Sequence, residues 1–209
     1  MEKKKALKVL ELLDSFIKNP QTELEYSSTF ELLVAVMLSA QCTDKRVNEV
    51  TRVLFKKYNT PEQFKDVDLL ELEQLIHSCG FYRNKAKAII SASQTILAKF
   101  GGQVPSRFED LTSLAGVGRK TANVMIAEAF KGDAFAVDTH VLRVSNRLGL
   151  VKTDNPDKCE ARLKKIFPQE KWSRLHYQMV LFGRYTCKAM SPQCANCVFA
   201  AICANKKEK

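Results

Sequence analysis

Three groups of residues in the 209-residue chain are spaced for chemistry. The first is Lys120, directly behind Gly116-Val117-Gly118-Arg119. Glycine at alternate positions marks a tight turn between two short helical patterns. The second helix then presents unpaired backbone N–H groups at the positive end of its dipole. An anionic oxygen is the natural ligand there, and glycine lets it approach without meeting a Cβ. Val117 is expected to pack inward and fix the turn. An ordinary αα-hairpin would use the same glycines, but the following Arg119-Lys120 pair favours anion binding. Lys120 falls in the first helical turn, where the dipole and Arg119 both disfavour a cation, and partial burial would add to them. A neutral amine is a nucleophile able to form a Schiff base with a carbonyl carbon. The plainer role is a surface lysine reaching phosphate.

The second group is Asp138, 18 residues further on. It suits a helix N-cap, and it also suits a carboxylate facing Lys120 that relays protons or stabilises positive charge. The third is Cys187, Cys194, Cys197 and Cys203, spaced C-x6-C-x2-C-x5-C. Four thiolates can ligate tetrahedral zinc or a [4Fe–4S] cluster. Structural zinc usually takes two close pairs; here there is one, in a compact set, and the spacing leans towards the cluster. Too little apolar mass surrounds these cysteines for a self-sufficient core. The centre would order the loop and present Arg184, Lys188, Lys206 and Lys207. Cys42, Cys79 and Cys159 sit in apolar or helical patterns and read as buried free thiols.

Composition bounds the partners. The chain is 45% apolar and 27% charged, which excludes wholesale disorder. No 18-residue apolar run predicts a membrane span, and no signal core follows the basic N-terminus. The net charge is +10, and residues 134–209 hold 14 basic against 6 acidic side chains. A polyanionic partner is expected, held mainly by that C-terminal part.

Positioning these groups falls to helices, because the hydrophobic period is helical nearly throughout and no strand pattern of useful length occurs. About ten helices are expected. Ser28 with Glu31 forms a capping box before Phe30–Leu38, which is apolar almost all round and reads as a central buried helix. Thr43 or Asp44 caps a helix with Val47, Val50, Val53 and Leu54 on one face. Thr60-Pro61-Glu62-Gln63 starts another. Asp68 opens a helix to Cys79 that Gly80 closes, and Asn84 opens one to Phe100. Ser106 with Glu109 repeats the capping-box pattern. The hairpin's second helix is expected to reach Phe130. Asp138 and Asn155-Pro156 start two more, and 171–184 forms the last long helix.

Together these features resemble the endonuclease III family of bifunctional DNA glycosylases in the helix-hairpin-helix superfamily. The residues that carry the resemblance are Leu114–Asn123, Ala136-Val137-Asp138-Thr139-His140-Val141, the four-cysteine spacing and Leu38-Ser39-Ala40-Gln41-Cys42-Thr43-Asp44. It spans roughly residues 5–205. One departure is Ala115, where the family usually has proline; the glycines and donors remain.

The resemblance implies an all-α fold with two helical domains: a six-helix domain over 23–132 holding the hairpin, and a cluster domain of 1–22 with 133–209. It places the active site in the cleft between them. It assigns Lys120 as the Schiff-base nucleophile at C1′ of a flipped nucleotide and Asp138 as the catalytic carboxylate. Gln41 matches a position that fills the gap left by the extruded base. DNA contacts fall on Gln41, Gly116, Val117, Gly118, Arg119, Thr121, Arg184 and Lys188, and the four cysteines hold a [4Fe–4S] cluster. The implied activity is base-excision repair: removal of oxidised pyrimidines and β-elimination at the abasic site. The partner is double-stranded DNA with damaged pyrimidines or abasic sites, bound by a monomeric, cytoplasmic, nucleoid-associated protein without membrane contact. A monofunctional adenine glycosylase would share all but the lysine. A non-enzymatic hairpin protein would not need Lys120 and Asp138 together, and a zinc-stabilised binding module would lack iron. His140 reads as a packed structural histidine beside Asp138.

Overall fold

The computed structural model describes residues 2–205. Lys206 and Lys207, expected beside the cysteines, lie outside the described residues. Every regular element among those residues is helical, with eleven α-helices and one short 3-10 turn. None is long and apolar enough to cross a membrane. The chain divides into two compact units: a middle unit, Glu23–Phe130, and a terminal unit made of the described parts of Met1–Thr22 and Lys131–Lys209.

The middle unit contains α2 (Thr29–Ser39), α3 (Asp44–Lys57), α4 (Pro61–Lys65), α5 (Leu69–Leu75), α6 (Tyr82–Phe100), α7 (Phe108–Thr112) and α8 (Arg119–Glu128). These are seven segments where the resemblance implied six helices; α4 and α7 are five residues each. Its centre is α2, every residue of which from Phe30 to Leu38 is buried, with α3, α6 and α8 packed around it. Ser28 caps α2 by accepting from Glu31 N at 3.1 Å, while the Glu31 carboxylate accepts from Ser27 N at 2.6 Å. The reciprocal bond thus lands one residue earlier than in a standard capping box. Thr43 caps α3, and Thr60 with Gln63 completes a capping box on α4.

Several boundaries differ from the sequence expectation, each for a local reason. Val53 is 60% exposed, because Val47, Val50 and Leu54 already fill the buried face of α3. α5 stops at Leu75, not Cys79: the chain tightens into i→i+3 bonds such as Cys79 N to Ile76 O, which still bury Ile76 and Cys79. α6 begins at Tyr82, two residues before Asn84, after Phe81 turns the chain in a left-handed conformation at φ 58°. Ser106 does not cap α7; Arg107 holds that position without a side-chain bond. Glu109 and Asp110 in the first turn complement the dipole instead. α8 ends at Glu128, where the N–H groups of Ala129 and Phe130 both donate to Met125 O. Cys42 is only half-buried.

The terminal unit holds α1 (Glu2–Phe16), α9 (Thr139–Arg147), α10 (Pro156–Ile166) and α11 (Trp172–Tyr185), with the 3-10 turn Gln169–Lys171 leading into α11. Asn155 caps α10 through Asp157 N and Lys158 N. The core gathers Val9 and Leu13 of α1, Val141 and Val144 of α9, Leu163 of α10 and Phe182 of α11 around Phe135 and Phe199. α1 is fastened to α11 by Asp14 Oδ1, which accepts from Arg174 Nε at 2.7 Å and Gln178 Nε2 at 2.9 Å. Burial pushes the Asp14 carboxyl up, but the bonds from Arg174 and Gln178 outweigh it and hold the group below its usual 3.8. A depressed carboxyl stabilises the fold above the unfolded-state value, and that stabilisation is lost as pH falls through the lowered one. Asp14→Asn is therefore expected to lower stability by at most about 1 kcal/mol at neutral pH, because the pair is partly exposed. In thermal unfolding the difference from the parent chain should shrink on acidification to about pH 3.

Candidate active site and nucleic-acid interface

In the middle unit, the glycine turn folds as the spacing suggests. α7 and α8 are joined by residues 113–118, and Val117 is buried, with its N–H donating to Leu114 O at 3.1 Å. Gly116 is left-handed at φ 77°, and a Cβ there would lie 2.8 Å from Ala88 Cβ and 2.9 Å from Met37 Cε. Glycine is required for both reasons. Gly118 is extended and serves as the N-cap of α8 with no side chain to offer. A Cβ at Gly118 would meet nothing within 4 Å. The helix entrance is thus open on the side where an anion would approach. The Arg119 guanidinium lies over the Phe108 ring, 5.2 Å from its centroid. Lys120 is exposed, not partly buried, and Thr121 is half-buried.

Beside the hairpin lies a cavity of about 230 Å³, lined by Met37, Ala40, Gln41, Phe81, Asn84, Lys85, Ala88 and Gly116. Gln41 is exposed and left-handed at φ 54°. Phe81 lines the same cavity, is 63% exposed, and is also left-handed. Strain of this kind costs about 1–3 kcal/mol per residue and gathers where loops meet ligands. Phe81 was not singled out from sequence, because its exposure follows from a left-handed turn that no local pattern marks. Nor was Lys85, which is 8% exposed. Its Nζ donates to Leu38 O and Ala40 O, both at 2.7 Å, and so caps the C-terminal end of α2 directly before Gln41. Burial holds the Lys85 amine below its usual value, with the nearby Cys79 and Cys42 acting the other way.

In the terminal unit, Asp138 caps α9, its Oδ1 accepting from Val141 N at 2.8 Å. The carboxylate is half-buried, and its second oxygen makes no further hydrogen bond among the described residues. One oxygen is spent on the cap and the other is available. His140 packs so close to α11 that a Cβ on Gly183 would lie 2.8 Å from His140 Cβ. Its Nδ1 pairs with Arg143 Nη2 at 3.1 Å.

The far end of α9 grips the cysteine segment. Arg143 donates to Cys187 O at 3.1 Å and Gly183 O at 2.8 Å. Arg147 donates to Lys188 O at 2.6 Å and Ala189 O at 3.0 Å, and it lies 3.4 Å from Cys187 Sγ. Neither arginine was singled out from sequence. Their i, i+4 spacing after Asp138 was the available signal. Cys187, Cys194, Cys197 and Cys203 line a single cavity of about 40 Å³ with Phe182 and Phe199. Burial pushes the Cys197 thiol up; the Phe199 N–H opposes this, and the other three cysteines add to it. Four cysteine sulfurs on one cavity are a donor set able to hold a cationic inorganic centre. Among the described residues no set of three or more His, Cys, Asp or Glu is gathered as ligands of a single ion. Lys188 is exposed on this segment and Arg184 is half-buried at the end of α11. Arg147→Ala is expected to lower stability by about 2 kcal/mol in urea unfolding, because it strands carbonyls that a charged donor held. Arg147→Lys, a single-point donor, should recover only part of that.

The sequence model of the HhH-GPD superfamily of base excision DNA repair proteins matches residues 34–169. Endonuclease III of Bacillus subtilis strain 168 is 47% identical over 201 residues, covering 96% of this chain and 92% of its own. Endonuclease III of Escherichia coli K12 is 40% identical over 208 residues, covering 100% and 99%. A solved structure of a trapped endonuclease III–DNA covalent intermediate superposes with a TM-score of 0.94 at 47% identity, covering 97% of this chain and 96% of that one. A non-covalent endonuclease III–DNA complex superposes with the same score. The chain belongs to the endonuclease III family, the bifunctional DNA glycosylase/AP lyases of base-excision repair.

Proposed function

We propose that this chain excises oxidised pyrimidines from duplex DNA and cleaves the strand at the resulting abasic site, with Lys120 as nucleophile and Asp138 as the catalytic carboxylate. What carries the reading is Lys120 exposed at the second position of a helix whose entrance has no side-chain cap. Gly118 leaves open space beside it. A relative that forms a covalent intermediate with DNA supports the same chemistry.

The N–H groups of Gly116, Gly118, Arg119 and Thr121 hold phosphate oxygens, which fixes register without reading sequence, while buried Val117, its own N–H spent on Leu114 O, keeps the turn in shape. Arg184 and Lys188 extend the grip. The damaged nucleotide leaves the stack at a cost of a few kcal/mol, least for poorly stacked lesions. Gln41 fills the vacated space, and Phe81, with its exposed ring at the same cavity, stacks on neighbouring bases. The Lys120 amine forms a bond to C1′ as the base departs. Asp138 stabilises the positive charge that develops on the sugar and takes up a proton as the ring opens to the imine. The imine acidifies C2′–H; loss of that proton and cleavage of the C3′–O bond complete the β-elimination.

Cys187, Cys194, Cys197 and Cys203 hold a [4Fe–4S] cluster. One close C-x2-C pair, where structural zinc usually takes two, and four cysteines on a single cavity support the cluster over zinc. When bound, the cluster supplies a charged, cross-linking centre that orders the loop bearing Lys188. The protein acts as a cytoplasmic monomer on the nucleoid. Borohydride reduction in the presence of duplexes carrying an abasic site or an oxidised pyrimidine tests the reading: a stable protein–DNA adduct is expected. Its absence with every lesion would reject covalent catalysis.

A further inference from the structure

Two thiols that take no part in this chemistry sit in the two turns that line the Gln41 cavity. Cys42 follows Gln41, and Cys79 stands two residues before Phe81, so each belongs to one of the two left-handed turns that line the cavity. The turns touch: a Cβ on Gly80 would lie 3.6 Å from Gln41 O. The Cys79 thiol and that of Cys42 are neighbours, each within range of the other's charge. Lys85, tethered by its two carbonyl partners, lies within charge range of both sulfurs, and Arg46 within that of Cys79. Cys42 is half-buried and Cys79 is 0% exposed.

We propose that Cys42 and Cys79 are a redox-modifiable dithiol, which a low-molecular-weight disulfide converts to an intramolecular disulfide that ties the Gln41 turn to the Phe81 turn. The roles follow from access and charge. Burial pushes the Cys79 thiol up to about 12, so it stays protonated and out of reach of a reagent. Cys42 is the entry point, because it is the more accessible of the two sulfurs. The Cys42 thiolate attacks one sulfur of the small disulfide, forming a mixed disulfide and releasing one thiolate. Cys79 then gives up its proton, attacks the Cys42 sulfur and expels the second small thiol. Two protein thiols are oxidised and one small disulfide is reduced to two thiols. Because the two turns already meet, the sulfurs can close to the bonding distance of about 2.0 Å by a local adjustment. The effect on activity rests on the function proposed above, because it requires Gln41 and Phe81 to adapt to DNA.

The test treats the full chain with oxidised glutathione, followed by non-reducing tryptic mapping. The expected product is the peptide spanning 19–45 disulfide-linked to that spanning 66–83, separable by dithiothreitol. In Cys79→Ser, glutathione should instead remain on Cys42. Wild-type protein that stays unmodified, or holds glutathione on Cys42 with no linked pair, would overturn the proposal. Reduced protein is first assayed for cleavage of an abasic duplex. Failure there rejects the enzymatic reading and leaves the mapping result intact. Linked protein is expected to cleave about fivefold or more slowly and to recover on reduction. An undiminished rate in fully linked protein would overturn the tie to the cavity.

Discussion

Replacing Lys120 with glutamine is expected to abolish the borohydride-trapped adduct and to slow abasic-strand cleavage by about four orders of magnitude or more. The amide is polar and only one bond shorter than the lysine side chain, but its nitrogen has no lone pair able to form an imine. Lys120 is exposed and makes no hydrogen bond or ion pair among the described residues, so the fold has no stake in it. Unfolding should be unchanged, and affinity for an abasic duplex should stay within about tenfold, since at most one phosphate-range cation is lost. Trapping and gel-shift titration on the same preparation separate the two roles. An undiminished adduct in Lys120→Gln would assign the nucleophile elsewhere; a large loss of binding with a small loss of rate would make Lys120 a phosphate contact.

The two hairpin glycines should fail in opposite ways. Gly116→Ala places a Cβ against Ala88 and Met37 in a backbone conformation that disfavours L side chains. Overpacking together with the left-handed penalty should lower stability by about 3 kcal/mol, read as a fall in the urea midpoint. Gly118→Ala meets nothing in the chain. Its stability should change by a few tenths of a kcal/mol at most. Under the phosphate contact proposed for this turn, the added methyl would crowd the bound oxygen, and losing one such bond should weaken duplex binding about tenfold. Equal destabilisation by both, or unaltered binding in Gly118→Ala, would contradict the anion-binding account of this turn.

The fold was legible wherever a short-range pattern carried it. Ser28, Thr43, Thr60, Asp68, Asp138 and Asn155 are caps because their side chains reach N–H groups two or three residues on, which sequence displays directly. The buried run 30–38 was equally plain. Legibility failed where tertiary demands chose the turn. Phe81 and Gln41 adopt backbone conformations that propensity disfavours, and no local signal announces them. Lys85 reads as a surface lysine on an amphipathic helix until its two carbonyl acceptors, 47 and 45 residues away, are in view. Arg143 and Arg147 likewise acquire meaning only from carbonyls some 40 residues distant. In the site, the chemically active residue types stood out in sequence, while the side chains that hold them in place did not.

The helix α9 has a consequence of its own. In about 13 Å of rigid backbone it runs from Asp138 to Arg147. One tip is the carboxylate; the other is bolted to the segment bearing Cys187, with His140 wedged against Gly183 between them. A strut of this kind transmits misalignment instead of absorbing it. Oxidative damage to the cysteine segment would take from Arg147 its carbonyl anchors and leave Arg143 only its hold on Gly183, freeing that end of the rod to tilt. The carboxylate's aim would drift although no reacting atom had been touched.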